Sequence, residues 1–232
     1  QMCIRDRTFT IGADGTATVT LSPIEDFVYE GEHGELTGLM LTSSSIGGTE
    51  WNGVMVTFTI VDVINFVPTN KAELQTAVDA WIADESSALT AYGDINTWDV
   101  SNITDMSNLF SGKSSFNSSI SDWDVSNVTT MDQMFSSCTQ FNSNISGWNT
   151  GNVTNFTGMF RYSENFNLDI SNWNCSNGEQ FTGMFEKAYE FNQPIGNWDG
   201  SNGFEFAAMF ADAHKFNQPI GDWNMSSAKR LT

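Results

Sequence analysis

Residues 123–147 read WDVSNVTTMDQMFSSCTQFNSNISG, and residues 148–172 read WNTGNVTNFTGMFRYSENFNLDISN. The second stretch restates the first with the same spacing of its Trp, Asn, Phe and Ile. Tryptophan recurs at Trp98, Trp123, Trp148, Trp173, Trp198 and Trp223, a constant step of 25 residues. Isoleucine stands three before each of them, from Ile95 and Ile120 through Ile220. Phenylalanine keeps the step at Phe110, Phe135, Phe160, Phe185 and Phe210, and again at Phe116, Phe141, Phe166, Phe191 and Phe216. No indel breaks the register, so five full units and a partial sixth fill residues 98–232. A fixed period of this length marks an array. No single unit can bury its Trp, Ile, Met and Phe alone, whereas stacked neighbours bury them in one continuous core.

Within a unit, Met131, Met134 and Phe135 have the i, i+3, i+4 spacing of a short helix, with Thr129 placed to cap it. Ile120–Val125 is richer in β-branched and aromatic residues, and Trp123 and Val125 alternate with polar neighbours, which reads as a short strand. The expected fold is therefore an α/β solenoid, leucine-rich-repeat-like, with 25-residue coils. Two asparagine columns, Asn102 to Asn202 and Asn117 to Asn217, repeat with the coils. A side-chain amide can donate to one coil's carbonyl and accept from the next coil's N–H, so each column predicts a ladder that satisfies turn backbone. The core also drifts along the array. Five after Trp the residues run Ile103, Val128, Val153, Gly178, Gly203, while eight after they run Met106, Met131, Phe156, Phe181, Phe206. A larger side chain arrives as a smaller one leaves, as volume-conserving packing requires.

Units such as Trp123–Phe135, closing on segments such as Phe191–Gly196, resemble BspA-type leucine-rich-repeat surface proteins, whose 25-residue units are of the mycoplasma-lipoprotein type. The resemblance covers residues 68–232. It implies a surface-exposed or secreted protein that presents a binding face, and it names no ligand.

Ahead of the array, residues 68–97 predict a capping helix and the entry to the first coil. Asn70 and Glu73 form a capping-box-like start after Pro68. Leu74, Ala77, Val78, Trp81 and Ile82 then give one apolar stripe of about three turns. Residues 8–66 change character: Thr8–Ile11, Ala17–Leu21, Leu36–Thr42 and Val54–Val61 predict an antiparallel partial all-β sandwich. The stretch Gly15–Glu32 and the closing Phe58–Asp62 resemble a truncated Calx-β domain. That resemblance implies a calcium site at Glu25, Asp26, Glu30 and Asp62. Calcium takes six to eight oxygens, several of them charged, and the opposing reading is that these acids only solvate loop ends. Residues 1–7 fit no structural pattern and read as a sequencing-adapter scar on a metagenomic fragment. The natural start, with any signal or anchor, is then expected upstream.

Charge narrows the function classes. Twenty-eight acidic residues against 9 basic ones give a formal net charge of −19, a field that repels nucleic acid and anionic lipid. No run of 18 apolar residues offers direct insertion into a membrane. No H-E-x-x-H, C-x-x-C, G-x-S-x-G or P-loop occurs, and His33 and His214 are far apart, so no enzyme chemistry is indicated. Cys138 aligns with Ala188 and Ala213, and Cys175 with Val100 and Val125, as small core residues. The residues after each Trp, from Asp99 and Asp124 to Asn224, predict turns that bond their own backbone, in preference to a column of cation ligands. Sequons at Asn102, Asn127, Asn152 and Asn224 follow from the repeat pattern and need not mean glycosylation.

Variation between units points to one edge. Positions 13 to 17 after Trp vary most and carry Arg161, Tyr162, Glu186, Tyr189 and His214. Rim aromatics and Arg suit a binding patch there. The expected function is a non-enzymatic surface or secreted binding or adhesion protein, at a cell or virion surface, whose partner is a protein or a glycan. The alternative is a structural stalk or spacer, stiffened by calcium in its β segment, with the ligand site on other parts of the chain.

Overall fold

A computed structural model describes residues 9–11, 17–19 and 66–229. The chain divides into two compact units, Gln1–Val61 and Asp62–Thr232. In the first, strands β1 (Phe9–Ile11) and β2 (Ala17–Val19) pair antiparallel with Phe9 opposite Val19 and Ile11 opposite Ala17. They match the first two strands expected from sequence. The expected strands at 36–42 and 54–61 lie outside the described residues.

The second unit opens with α1 (Lys71–Ala83) and α2 (Glu85–Tyr92). Asn70 caps α1 by accepting the Glu73 N–H. The reciprocal bond shifts by one residue: the Glu73 carboxylate takes the N–H and hydroxyl of Thr69, where a strict capping box would use the cap residue's own N–H. Leu74, Ala77, Val78 and Trp81 are buried, the stripe the spacing predicts. Asp84 then ends one helix and starts the next. Its N–H donates to Ala80 O, while its carboxylate accepts from Ser86 and Ser87. The sequence reading passed over α2, although Asp84-Glu85 carries an N-cap and first-turn acid. Phe66, Trp81, Tyr92 and Trp98 meet edge to face at 4.9–6.0 Å and join this cap to the first coil.

From Trp98 onward, each 25-residue stretch stacks on the next in register. Single parallel bridges join Asp105 to Thr130, Thr130 to Asn155, Asn155 to Gln180 and Gln180 to Glu205. The expected strand and helix of each coil are both replaced by turns, so among the described residues the helices are confined to the cap and its entry. The reason lies in where the backbone N–H groups go. An α-helix at Met131–Phe135 would send the Phe135 N–H to Met131 O; it donates instead to Met159 O of the next coil, at 2.9 Å. At the expected strand, Trp123 N–H and Val128 N–H close turns onto Ile120 O and Val125 O, which leaves no ladder for a strand.

The inter-coil bonds follow one rule. Carbonyls of 155, 157, 159 and 161 accept from the preceding coil, and N–H groups of 156, 158, 160 and 162 donate to the following one. Alternate peptide groups therefore align along the stack in four columns, carbonyl ends towards α1. Between them, i to i+3 bonds such as Met159 N–H to Phe156 O tighten the path into 3₁₀-like turns. The alternation needs left-handed residues at two positions per coil. Asn108, Gln133, Gly158, Gly183 and Ala208 fill one, and Gly112, Ser137, Tyr162, Lys187 and Asp212 the other, all with φ between 51° and 76°. A non-glycine residue pays ~1–2 kcal/mol there, and the ladder on both sides holds it in place.

Side chains use the same step. Trp98 stacks on Trp123 at 6.3 Å, Trp148, Trp173, Trp198 and Trp223 stack in turn at 6.4 Å, and the Phe110–Phe210 column stacks at 5.3–5.7 Å. From Trp123 onward, each repeat indole N–H donates to the carbonyl of the isoleucine 28 residues earlier, as Trp148 does to Ile120 O and Trp173 to Ile145 O. That bond gives the Trp and Ile columns one shared reason to repeat. The two asparagine columns divide their expected work. Asn127, Asn152, Asn177 and Asn202 donate to the preceding coil's carbonyls at 2.7–2.9 Å. Asn117, Asn142, Asn167 and Asn192 accept the next coil's N–H.

Candidate functional site

The edge formed by positions 13 to 17 after Trp brings the five expected binding residues into inter-coil pairs. Left-handed backbone at Tyr162 and Lys187 turns this segment at the coil's corner. Arg161 Nη2 donates to Glu186 Oε1 at 3.0 Å. Its Nε lies 2.9 Å from Oε2, an ion-pair contact without hydrogen-bond alignment. The Glu186 carboxylate holds the Arg161 guanidinium above its ordinary pKa. The Tyr162 ring lies under two cations, Arg161 at 5.1 Å and Lys187 Nζ at 5.0 Å, a geometry in which the ring quadrupole attracts charge. Tyr189 and His214 stack at 5.1 Å, and Lys215 pairs with Glu190.

Sequence reasoning missed Lys187, Glu190 and Lys215. The missed signal was available: opposite charges 25 residues apart, as in Arg161/Glu186 and Glu190/Lys215, must face each other in a stack with that step. Within the five full units, 98–222, the Lys and Arg residues Lys113, Arg161, Lys187 and Lys215 all fall in this five-residue window; Lys229 and Arg230 of the partial sixth unit do not. The rest of the coil surface carries acids. Among the described residues Lys113 reaches across to Asp79 of α1 at 2.6 Å, so it joins array to cap.

Other candidate positions resolve into structure. Cys138 and Cys175 are buried; burial pushes the Cys138 thiol up to about 12 and the Cys175 thiol higher still, and both groups remain protonated. Asp124, Asn149, Asn174, Asp199 and Asn224 each accept the N–H two residues on, the turn bond expected of them. Gly151 comes within reach of Asn174, whose Nδ2 would lie 3.1 Å from an added Cβ, so this column is closely packed. The sequon asparagines Asn127 and Asn152 spend their side-chain N–H on the ladder. The calcium candidates Glu25, Asp26, Glu30 and Asp62 lie outside the described residues. Among the described residues no group of three acids, histidines or cysteines could hold a metal ion, and no helix is long and apolar enough to cross a membrane.

The geometry defines a class: a repeat protein of in-register turn coils behind a helical cap. Residues 76–189 and 148–232 match the family described as Mycoplasma protein of unknown function, DUF285, and together the matches span more than half of the chain. The chain belongs to that family, which is related to BspA-like mycoplasma surface repeat proteins. No curated protein and no solved structure matches the chain.

Proposed function

We propose that the chain is a non-enzymatic binding or adhesion protein of a cell or virion surface, in which a leucine-rich-repeat-like solenoid offers one edge to a protein or glycan. The observation that carries this reading is the gathering of the exposed and half-buried Tyr162, Tyr189 and His214 with the cations of the coils on that edge. Aromatic and Arg side chains are the types that anchor partners, and the family's kinship with surface repeat proteins supports the setting. The remaining acidic surface disfavours nucleic acid as a partner. The test is a screen of the protein against cell-surface and glycan arrays, alongside an Arg161→Ala, Tyr162→Ala, Tyr189→Ala variant. Loss of the bound signal in the variant supports the edge; an unchanged signal removes it.

One observation favours the second reading, a stalk or spacer. Each proposed binding residue already faces a partner in a neighbouring coil, which stiffens the stack without any ligand. We carry the calcium proposal for the Calx-β-like segment with it: Glu25, Asp26, Glu30 and Asp62 would hold the ion and stiffen the spacer. A calorimetric calcium titration that releases no heat overturns that part.

A further inference from the structure

Counted from Trp98, the five full coils meet at four junctions, and the same four ladder bonds cross each of them. The remaining contacts repeat less evenly, and the gaps gather between the second coil (123–147) and the third (148–172). Thr130, Gln180 and Glu205 each donate an extra N–H to the coil before, at 3.1–3.4 Å, and Gln140, Glu190 and Lys215 donate to Ser114 O, Glu164 O and Tyr189 O. Their counterparts at this junction, the N–H groups of Asn155 and Asn165, have no backbone acceptor among the described residues; Asn165 reaches Thr139 O only through its side chain. In the asparagine column the Asn167 N–H lies 3.4 Å from Asn142 Oδ1, against 2.8 and 2.9 Å for the same bond at Asn142 and Asn192. One residue on, Ser143, Gln193 and Gln218 donate to the carbonyl of the asparagine one coil back. Leu168 fills that place in the third coil and has no donor. Phe141 and Phe166 stand 6.3 Å apart, where the other pairs of their column stand at 5.8 Å. Trp123 and Trp148 make no ring contact with each other.

We propose that this junction is a hinge: the ladder holds the second and third coils together, while the part carrying Asn142, Phe166 and Leu168 opens and closes. Met131, Gln133, Phe135 and Ser137 keep their bonds to the third coil, so opening spares the ladder and releases only the weaker contacts away from it. Hinges sit where a few residues absorb a rotation between rigid blocks. One block is the cap with the first two coils, where Phe66, Trp81 and Tyr92 pack their rings on Trp98 and Trp98 stacks on Trp123. The other is coils three to five, joined by the Phe156–Phe181–Phe206 stack and by the Arg161–Glu186 and Lys215–Glu190 pairs. Arg161, Tyr162, Glu186, Tyr189 and His214 all belong to the second block. The hinge therefore re-aims the variable edge relative to the cap, and it does not rest on what that edge binds.

The test uses the full chain and two NMR readouts. Residual dipolar couplings of residues 98–147 and 148–222 are fitted separately; a hinge gives the two blocks unequal alignment, and a single rod gives both the same. Amide exchange then locates the motion. After correction for intrinsic rates, Asn167 should exchange roughly tenfold faster than Asn142 and Asn192. Leu168→Gln, which installs the residue found at Gln193 and Gln218, should slow Asn167 by a similar factor and bring the two alignments together. Leu168→Ser, after Ser143, should do the same. Unchanged exchange at Asn192 shows that each variant is folded. One shared alignment in the unaltered chain overturns the proposal. So does an Asn167 amide as slow as Asn142 and Asn192, or a pair of variants that leaves both readouts unmoved. Neither readout involves a ligand, so failure of the hinge and failure of the surface-binding reading show in different measurements.

Discussion

The interior columns and the variable edge solve one problem, holding residue i beside residue i+25, by different physics. Inside, Trp, Phe and Ile repeat because several demands fall on each: burial on all three, ring stacking on Trp and Phe, and the indole N–H to Ile carbonyl bond on the Trp column. On the edge, one contact suffices and its chemistry is free to change. An ion pair joins Arg161 to Glu186, a cation sits on Tyr162, and an aromatic stack joins Tyr189 to His214. Fixity inside and variety outside thus follow from how many constraints a side chain carries. The comparison also explains why the edge is the place where a binding function can evolve without loss of the fold.

Breaking the inside should cost most. Trp173→Ala removes a 3% exposed ring stacked on Trp148 and Trp198, and leaves Ile145 O without its donor. A loss of ~3–5 kcal/mol is expected for such a truncation, read by denaturant unfolding. Gly178→Ala tests the compensated drift of the core. A Cβ there would lie 2.3 Å from Phe181 Cζ and 3.0 Å from Cys175 O, and the ring it strikes is itself packed on Phe156 and Phe206. Overpacking of this kind costs ~1–3 kcal/mol. A second change, Phe181→Met, should restore most of the loss, and a pair of variants that simply add their effects would disprove the exchange of volume.

The outside should yield smaller effects. A double-mutant cycle on Arg161→Ala and Glu186→Ala should give a coupling below ~1 kcal/mol that shrinks in high salt, since Arg161 is partly exposed. Smallest is the acid response of the turn column. The Ser126 hydroxyl and N–H hold Asp124 below the usual carboxylate range; Ser171 does the same for Asp169, and the Ser201 N–H and hydroxyl for Asp199. A depressed carboxylate contributes stability that is present above its unfolded pKa of ~4 and is lost as pH falls through the folded value. Thermal unfolding should therefore drop slightly on the acid side of ~4. Asn already fills the turn of Asp124 and Asp199 at Asn149 and Asn174, and the turn of Asp169 at Asn144, so Asp124→Asn, Asp169→Asn and Asp199→Asn together should flatten that slope.

Sequence reading reached the columns, the cap and the two asparagine ladders, because each rests on a period or a local motif. It misassigned the secondary structure inside the coil. The spacing of Met131, Met134 and Phe135 reports which side chains share a buried side, and a 3₁₀-like turn path buries the same set as a helix would. Periodicity cannot tell whether the Phe135 N–H closes on its own coil or on the next. The left-handed positions were equally hidden, since glycine occupies only some of them and Gln133, Tyr162 and Lys187 adopt the same φ under the pull of the ladder. On the edge, variation between units located the five candidate residues, and the 25-residue step already implied the Arg161–Glu186 and Glu190–Lys215 pairs, whereas the Lys187 cation over the Tyr162 ring needed the structure.

The sequence by itself determined the 25-residue step, the residues of the core, the helical cap and, through those units, membership in a surface-related repeat family. Side-chain periodicity and capping are local properties, written in the order of residues. Only the tertiary structure decided that the coils are built of turns and that alternate peptides align along the stack, with α1 packed at the start of the array. Those outcomes depend on hydrogen bonds between residues 24 and 28 positions apart, and such bonds are fixed only once the coils lie on one another.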